Sequence, residues 1–282
     1  MIKNRAASIR ARLKQRSDAA RQDFNLTLTH YGLERLLYRL SISEHGQDFL
    51  LKGALLFQFW YDIPHRPTRD ADLLGYGADD IGSVETVFRD LCQIMVDDGI
   101  EFDAQSVKGT EIRKETGYGG VRIEMIAGLD GARITLQVDI GFGDVVTPGP
   151  ELLNYPALLD DFPAPSLRAY PKYTVVAEKF QALCLLGMTN SRMKDYFDLW
   201  ILLRDDDLDP AKLRQAIEAT FARRQAPPLT GIPIGLTDGF GADSAKQAQW
   251  RAFLKKNKLE PLALSDVVQV LRGAFRKIGV IY

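Results

Sequence analysis

Cysteine and histidine are scarce. The 282 residues include two Cys and three His. Cys92 and Cys184 lie far apart, so no disulfide framework is available and a reducing, cytoplasmic setting is expected. Each sits between apolar neighbours and reads as a buried core thiol. Together with His30, His45 and His65 they cannot supply a zinc cluster at ligand spacing. No HExxH occurs, and neither Cys has a His near it in sequence, which removes metalloprotease and cysteine-hydrolase readings. No run of about 18 apolar residues occurs, so no membrane-spanning helix is expected. The N-terminus is basic but lacks the apolar stretch of a secretory signal. Net charge is only −1, with 46% hydrophobic and 26% charged residues, which excludes disorder as the default. Internal repeats are absent.

What is present is unevenly distributed. Residues 1–22 carry seven cations against one acid, a net of +6, and residues 243–282 carry eight against three, a net of +5. The segment between them is therefore acidic. Basic ends suggest contacts with a phosphate backbone, the alternative being solvated helix faces. An acidic centre suggests either a solvated surface or carboxylates gathered for a cation.

The hydrophobic pattern predicts an α+β protein: a mixed sheet flanked by helices, followed by a helical C-terminal region. Residues 2–21 read as a basic surface helix, 25–42 as an amphipathic helix, and 54–62 as a short buried helix. Pro64 and Pro67 mark a loop, 70–74 reads as a strand, and Gly75 and Gly77 mark a turn. A helix is expected over 80–96. Strands are expected within 105–126, with Gly117, Gly119 and Gly120 interrupting them. The clearest β signal is VRIEMIA (121–127) and ARITLQVDI (132–140) around the hairpin loop 128–131. Ile134, Leu136, Val138 and Ile140 alternate with Arg133, Thr135, Gln137 and Asp139, giving one buried and one polar face. Five prolines between 148 and 165 make 146–165 read as a long connection. Helices are expected over 172–187, 191–204, 209–223, 243–256 and 264–277. The expected domains are a basic helix (1–23), a core (24–170) and a helical region (171–282).

Three carboxylates stand out. Asp70 and Asp72 flank Ala71, so on a strand they project from one face. Like charges that close are comfortable with a cation between them or with water around them. Asp139, on the polar face of a later strand, is a third, and such a set can hold Mg²⁺ for phosphoryl transfer. Lys179 falls within the apolar stripe of its helix and reads either as a snorkelling side chain or as a point charge for a phosphate. Gln181 falls on the polar side. Asp195 and Asp198 share one face of a largely apolar helix and need partners, for which Arg192, Lys194 or Lys179 are available. A structural ion pair is the plain alternative.

Four ordered blocks carry a resemblance: FLLKGALLFQFWYDIPHRPTRDADLL (49–74), VDIGFGD (138–144), VVAEKFQAL (175–183) and SRMKDYFDLW (191–200). Together they resemble the AbiEii/AbiGii toxin family of nucleotidyltransferases, which are similar to DNA polymerase β-like nucleotidyltransferases. The resemblance implies an EC 2.7.7-type nucleotidyltransferase and a role as toxin in a bacterial toxin–antitoxin or phage-defence system, with a separately encoded antitoxin. It implies metal ligation by Asp70, Asp72 and Asp139, with Mg²⁺ or Mn²⁺ as cofactor and an NTP as substrate. It makes Asp70, Asp72, Lys179 and Asp195 catalytic, with Asp198 a second choice for the late acid. Gly53, Lys52, Arg69, Lys179, Arg192 and Lys194 would bind nucleotide. The family's glycine pair followed by Ser or Thr is reduced here to Gly53-Ala54-Leu55, and Lys52 or Thr68-Arg69 are the available substitutes. The expected acceptor is tRNA. Nucleotidylation of a protein target and a non-catalytic nucleotide- or RNA-binding module are the alternatives.

Overall fold

The computed structural model describes residues 5–61, 66–113, 119–205 and 208–282. Residues 1–4, Pro64, His65 and Gly117 lie outside the described residues. The chain divides into two compact units, residues 1–143 with 151–169, and residues 144–150 with 170–282.

The first unit carries a seven-stranded mixed sheet. Helices α1 (Arg5–Ala19) and α2 (Phe24–Ile42) come first, followed by β1 (Phe49–Lys52), α3 (Leu56–Trp60), β2 (Asp70–Gly75) and α4 (Ile81–Gln93). Then come β3 (Glu101–Arg113), β4 (Gly119–Leu129), β5 (Ala132–Phe142), β6 (Glu151–Asn154) and β7 (Ser166–Ala169). The strand order is β3-β4-β5-β2-β1-β7-β6. The pairs β2/β5 and β1/β7 are parallel and the others antiparallel.

Local chemistry explains the centre of this sheet. Asp130 and Gly131 both take positive φ, 46° and 76°, so a two-residue turn of the twist that hairpins require joins β4 to β5. That turn pairs Leu129 with Ala132 and fixes the register of the whole hairpin. Ile134, Leu136, Val138 and Ile140 are buried, as their alternation predicts. With Ala71 and Leu73 of β2, Val138 faces Leu33, Leu36, Leu37 and Leu40 of α2 and Phe88 and Leu91 of α4 around one small void. This apolar face turns the opposite, polar face of β2 and β5 away from the helices.

Two expectations are corrected here. Beyond β1, itself not expected as a strand, the connection over 146–165 contains β6 and β7 follows it directly, so the sheet is three strands wider than the hydrophobic pattern implies. Both strands are four residues long, and β6 at the sheet edge buries only Leu153. Four-residue strands beside prolines carry almost no periodic signal. The N-terminal helix is not a free basic surface. Ile9 and Leu13 are buried, Arg5 pairs with Asp97 at 2.7 Å, Arg10 lies 3.6 Å from Asp130, and Arg12 pairs with Asp161. Much of its charge answers acids of the same unit.

The second unit is helical: α5 (Lys172–Leu186), α6 (Met193–Asp205), α7 (Pro210–Arg223), α8 (Asp238–Ala242), α9 (Ser244–Asn257) and α10 (Leu264–Ile278). Aromatic contacts tie these helices together: Phe180 on Phe275 at 3.9 Å, Tyr196 on Phe240 at 5.1 Å, and Phe197 against Phe253 at 5.8 Å. Helix α10 buries Leu264, Val267, Val268, Leu271 and Phe275, an i, i+3, i+4, i+7 stripe. Gln181 of α5 is buried, not on a polar side. Its amide oxygen accepts from Arg224 at 3.0 Å, and Arg224 also holds Asp144 at 2.9 Å. A partner elsewhere in the unit makes that burial affordable, which helix periodicity alone does not reveal.

Candidate functional site

The polar face of the sheet is built by register. Lys52 of β1 pairs with Asp72 of β2, Asp72 with Asp139 of β5, and Asp139 with Arg122 of β4. Paired positions on neighbouring strands present side chains on the same face. The row therefore reads cation, carboxylate, carboxylate, cation across four strands. The next row, two residues back along β2, runs Asp70, Gln137, Glu124 and Lys108. Asp70 and Asp72 are both half-buried on this face, while Ala71 between them is fully buried on the other.

Each carboxylate of the row has its own setting. Asp70 accepts a hydrogen bond from the Thr68 hydroxyl at 2.5 Å. The Thr68 carbonyl accepts in turn from His30 Nε2 of α2 at 2.7 Å. A carbonyl cannot donate, so His30 carries its proton on Nε2. Burial lowers the His30 pKa, against the Thr68 bond that raises it, which keeps the ring neutral. Asp72 lies over the start of the turn after β1. Gly53 has φ of +75°, and a Cβ there would stand 2.0 Å from Asp72 Oδ2. Only glycine fits, both for its backbone and for the carboxylate above it.

Asp139 departs from the expected three-carboxylate metal set. Arg122 Nε donates to Oδ1 and Nη2 to Oδ2, each at 2.8 Å, and Gln137 Nε2 donates to Oδ1 at 3.3 Å. Both of its oxygens are thus engaged by a bidentate fork. Among the described residues no three His, Cys, Asp or Glu side chains are grouped as a metal site. Asp70 and Asp72 do fit a hard divalent cation: two oxygen donors side by side, the Asp72 carboxylate standing where only a glycine at 53 lets it stand. Arg69 is exposed and lies 3.8 Å from Asp23, the N-cap of α2. Lys52 is buried beside the row.

In the second unit Lys179 of α5 meets two carboxylates of α6. Its Nζ lies 2.7 Å from Asp195 and 2.9 Å from Asp198. The two acids are 2% and 1% exposed, and Lys179 is 14% exposed. Arg192 Nε adds a contact of 2.8 Å to Asp195 Oδ2, without hydrogen-bond geometry. Burial pushes the Asp195 pKa up, but Lys179 and Arg192 overcome it, and the group lies below its ordinary value. Lys179 therefore does not snorkel to solvent but is engaged by two carboxylates of its own unit. It is the shared counter-ion of a buried acidic pair. Lys194 is exposed on the same helix.

Arg122 and His30 are residues the sequence reading missed as contributors to this face. The signal for Arg122 was available. The Asp130-Gly131 turn sets 129 against 132, and counting back along both arms brings 122 opposite 139. His30 had no such signal, since its bond to Thr68 spans 38 residues. The cysteines have no part in the site: burial pushes the Cys92 thiol up to about 11 and Cys184 up to about 12.

Among the described residues no helix is long and apolar enough to cross a membrane. The family model described as "Nucleotidyl transferase AbiEii toxin, Type IV TA system" matches residues 35–272. No curated protein matches the chain. Two solved structures are similar. JHP933 from Helicobacter pylori is 12% identical, with a TM-score of 0.49, over 86% of this chain and 87% of that one. An H. pylori protein described as a candidate nucleotidyltransferase is 14% identical, with a TM-score of 0.48, over 86% and 90%.

Proposed function

The chain belongs to the AbiEii nucleotidyl transferase toxin family of type IV toxin–antitoxin systems, and from that premise we propose that it moves a nucleotide from an NTP onto tRNA with the help of Mg²⁺. The acceptor hydroxyl oxygen bonds to the α-phosphorus, the bond from that phosphorus to the β-phosphate oxygen breaks, and pyrophosphate leaves. The acceptor's proton passes to solvent. The observation that carries the reading is the pair Asp70 and Asp72, side by side on a half-buried sheet face over the Gly53 cradle.

Asp70 and Asp72 would hold the cation, which when bound neutralises charge on the phosphates and favours the acceptor's alkoxide. The chain's own contribution is positioning, the larger part of phosphoryl transfer. His30 and Thr68 orient Asp70 from behind. Lys179 is the cation assigned to the triphosphate, and engaging it requires exchange with Asp195 and Asp198. The missing Ser or Thr after Gly53 leaves Lys52, paired with Asp72 across the ladder, as the nearest basic group on β1.

The tRNA reading draws support from one end of the chain. The cations of α1 are largely engaged within their own unit, whereas Arg251, Lys255, Lys256 and Lys258, on and just after α9, are exposed. A phosphate backbone is the natural partner of such a stripe. An antitoxin encoded with the toxin is part of the same proposal. Radiolabelled NTPs, total tRNA and Mg²⁺ provide the test. Label is expected on RNA with the wild type and is lost by at least about 10³-fold with Asp70→Ala. Equal transfer by the two proteins overturns the assignment. Label on a protein band instead of RNA replaces the acceptor and keeps the chemistry.

A further inference from the structure

The central carboxylates of the cross-sheet row, Asp72 and Asp139, are register partners on adjacent parallel strands. Strands lie about 4.8 Å apart, so two acids at paired positions on one face repel unless each is answered. Lys52 stands on the outer side of Asp72 and Arg122 on the outer side of Asp139. The Arg122 answer is complete in a way that matters for metal binding. Its side-on fork takes both Asp139 oxygens at 2.8 Å, and Gln137 adds a third donor. The fork is also accessible, since the Arg122 side chain is 39% exposed and Asp139 is 19% exposed. A guanidinium fits a phosphate's oxygens in the same two-pronged geometry as a carboxylate's, so an anionic group can compete for it.

We infer that Arg122 withholds Asp139 from the divalent cation, and that Asp139 joins the β2 carboxylates on the cation when a phosphate takes the guanidinium in exchange. The inference rests on the proposed reading of Asp70 and Asp72 as cation ligands. Arg122 is a positioning residue here: it acts through Asp139. The expected third carboxylate of the site is then present but held in reserve.

Mn²⁺ titration of the full chain without nucleotide, followed by the electron paramagnetic resonance signal of free Mn²⁺, tests this apart from activity. Asp72→Asn is expected to weaken binding about tenfold or more, and Asp139→Asn to change it less than about twofold. Arg122→Gln frees Asp139 and is expected to tighten binding about tenfold, and adding Asp139→Asn to it returns the affinity to wild type. Arg122→Lys keeps the charge without the fork and is expected to tighten binding less, so it decides the matter if Arg122→Gln does not fold. Unchanged or weaker binding by the Arg122 variants overturns the inference. So does a loss with Asp139→Asn alone as large as that with Asp72→Asn. If Asp72→Asn leaves Mn²⁺ binding unchanged, the cation reading itself fails and the inference with it.

Discussion

The first unit keeps Asp70 and Asp72 half-buried on a sheet face, Asp70 beside the Thr68 hydroxyl and Asp72 over Gly53. The second keeps Asp195 and Asp198 at 2% and 1% exposure, clamped by Lys179. Both are pairs of acids on one face of a regular element, i and i+2 on a strand, i and i+3 on a helix. They differ in what answers their charge. A half-buried pair can exchange water for a cation at little cost. A buried pair depends on its counter-ion, because an uncompensated charge in the interior is costly. The same residue type thus stands half-buried on a sheet in one unit and fully buried against a counter-ion in the other, and under the proposed function the second arrangement constrains how Lys179 would meet a nucleotide.

Removing Lys179 should have the largest effect on stability. Lys179→Met leaves Asp195 and Asp198 facing each other, with Arg192 still on Asp195, and is expected to cost about 3–5 kcal/mol in urea unfolding. Adding Asp198→Asn should restore part of that loss. A Lys179→Met protein as stable as wild type would remove the distinction between the two clusters.

Gly53→Ala tests the other side. The new methyl group meets Asp72 Oδ2 in a backbone conformation that disfavours side chains, and a cost of about 1–3 kcal/mol is expected, together with loss of label transfer. A variant that loses transfer at unchanged stability would show Asp72 moving aside while the fold stays intact.

Glu34 sharpens the contrast by giving a buried acid whose partners do not prevail. Burial raises its pKa to about 7 from 4.5, against Arg35 and the Leu158 amide that lower it. Between about pH 4.5 and 7 the folded protein keeps a proton that the unfolded chain has released, so this group's contribution to stability falls as pH rises. Asp195 has the opposite sign: its pKa is depressed, its contribution is present above about 3.8 and is lost on acidification. Glu34→Gln should flatten the decline in stability from pH 5 to pH 8 by roughly 1–2 kcal/mol, read from unfolding midpoints at the two pH values. An unchanged slope would mean that Arg35 neutralises Glu34 as fully as Lys179 and Arg192 neutralise Asp195.

Much of this was legible in the residues. The hairpin β4–β5, its turn and its buried face follow from alternation and an Asp-Gly pair, and with them the pairing of Arg122 and Asp139. The helices of the second unit follow from apolar stripes, except the five-residue α8. Buried polar groups were less legible. Gln181 reads as a solvent-facing residue until Arg224 is placed beside it. Strands β6 and β7 were hidden because four residues among prolines show no period, and pairing alone makes them strands.

Local pattern therefore determined which face of each element is apolar and which acids share a face, since those depend only on repeats of 2.0 and 3.6 residues. Tertiary structure alone decided who answers each charge. The meeting of Asp72 with Asp139, of Asp72 with Lys52, and of Asp195 and Asp198 with Lys179 all join segments that are separate in the chain. The energy of a charge is set by its surroundings, and those surroundings exist only after folding.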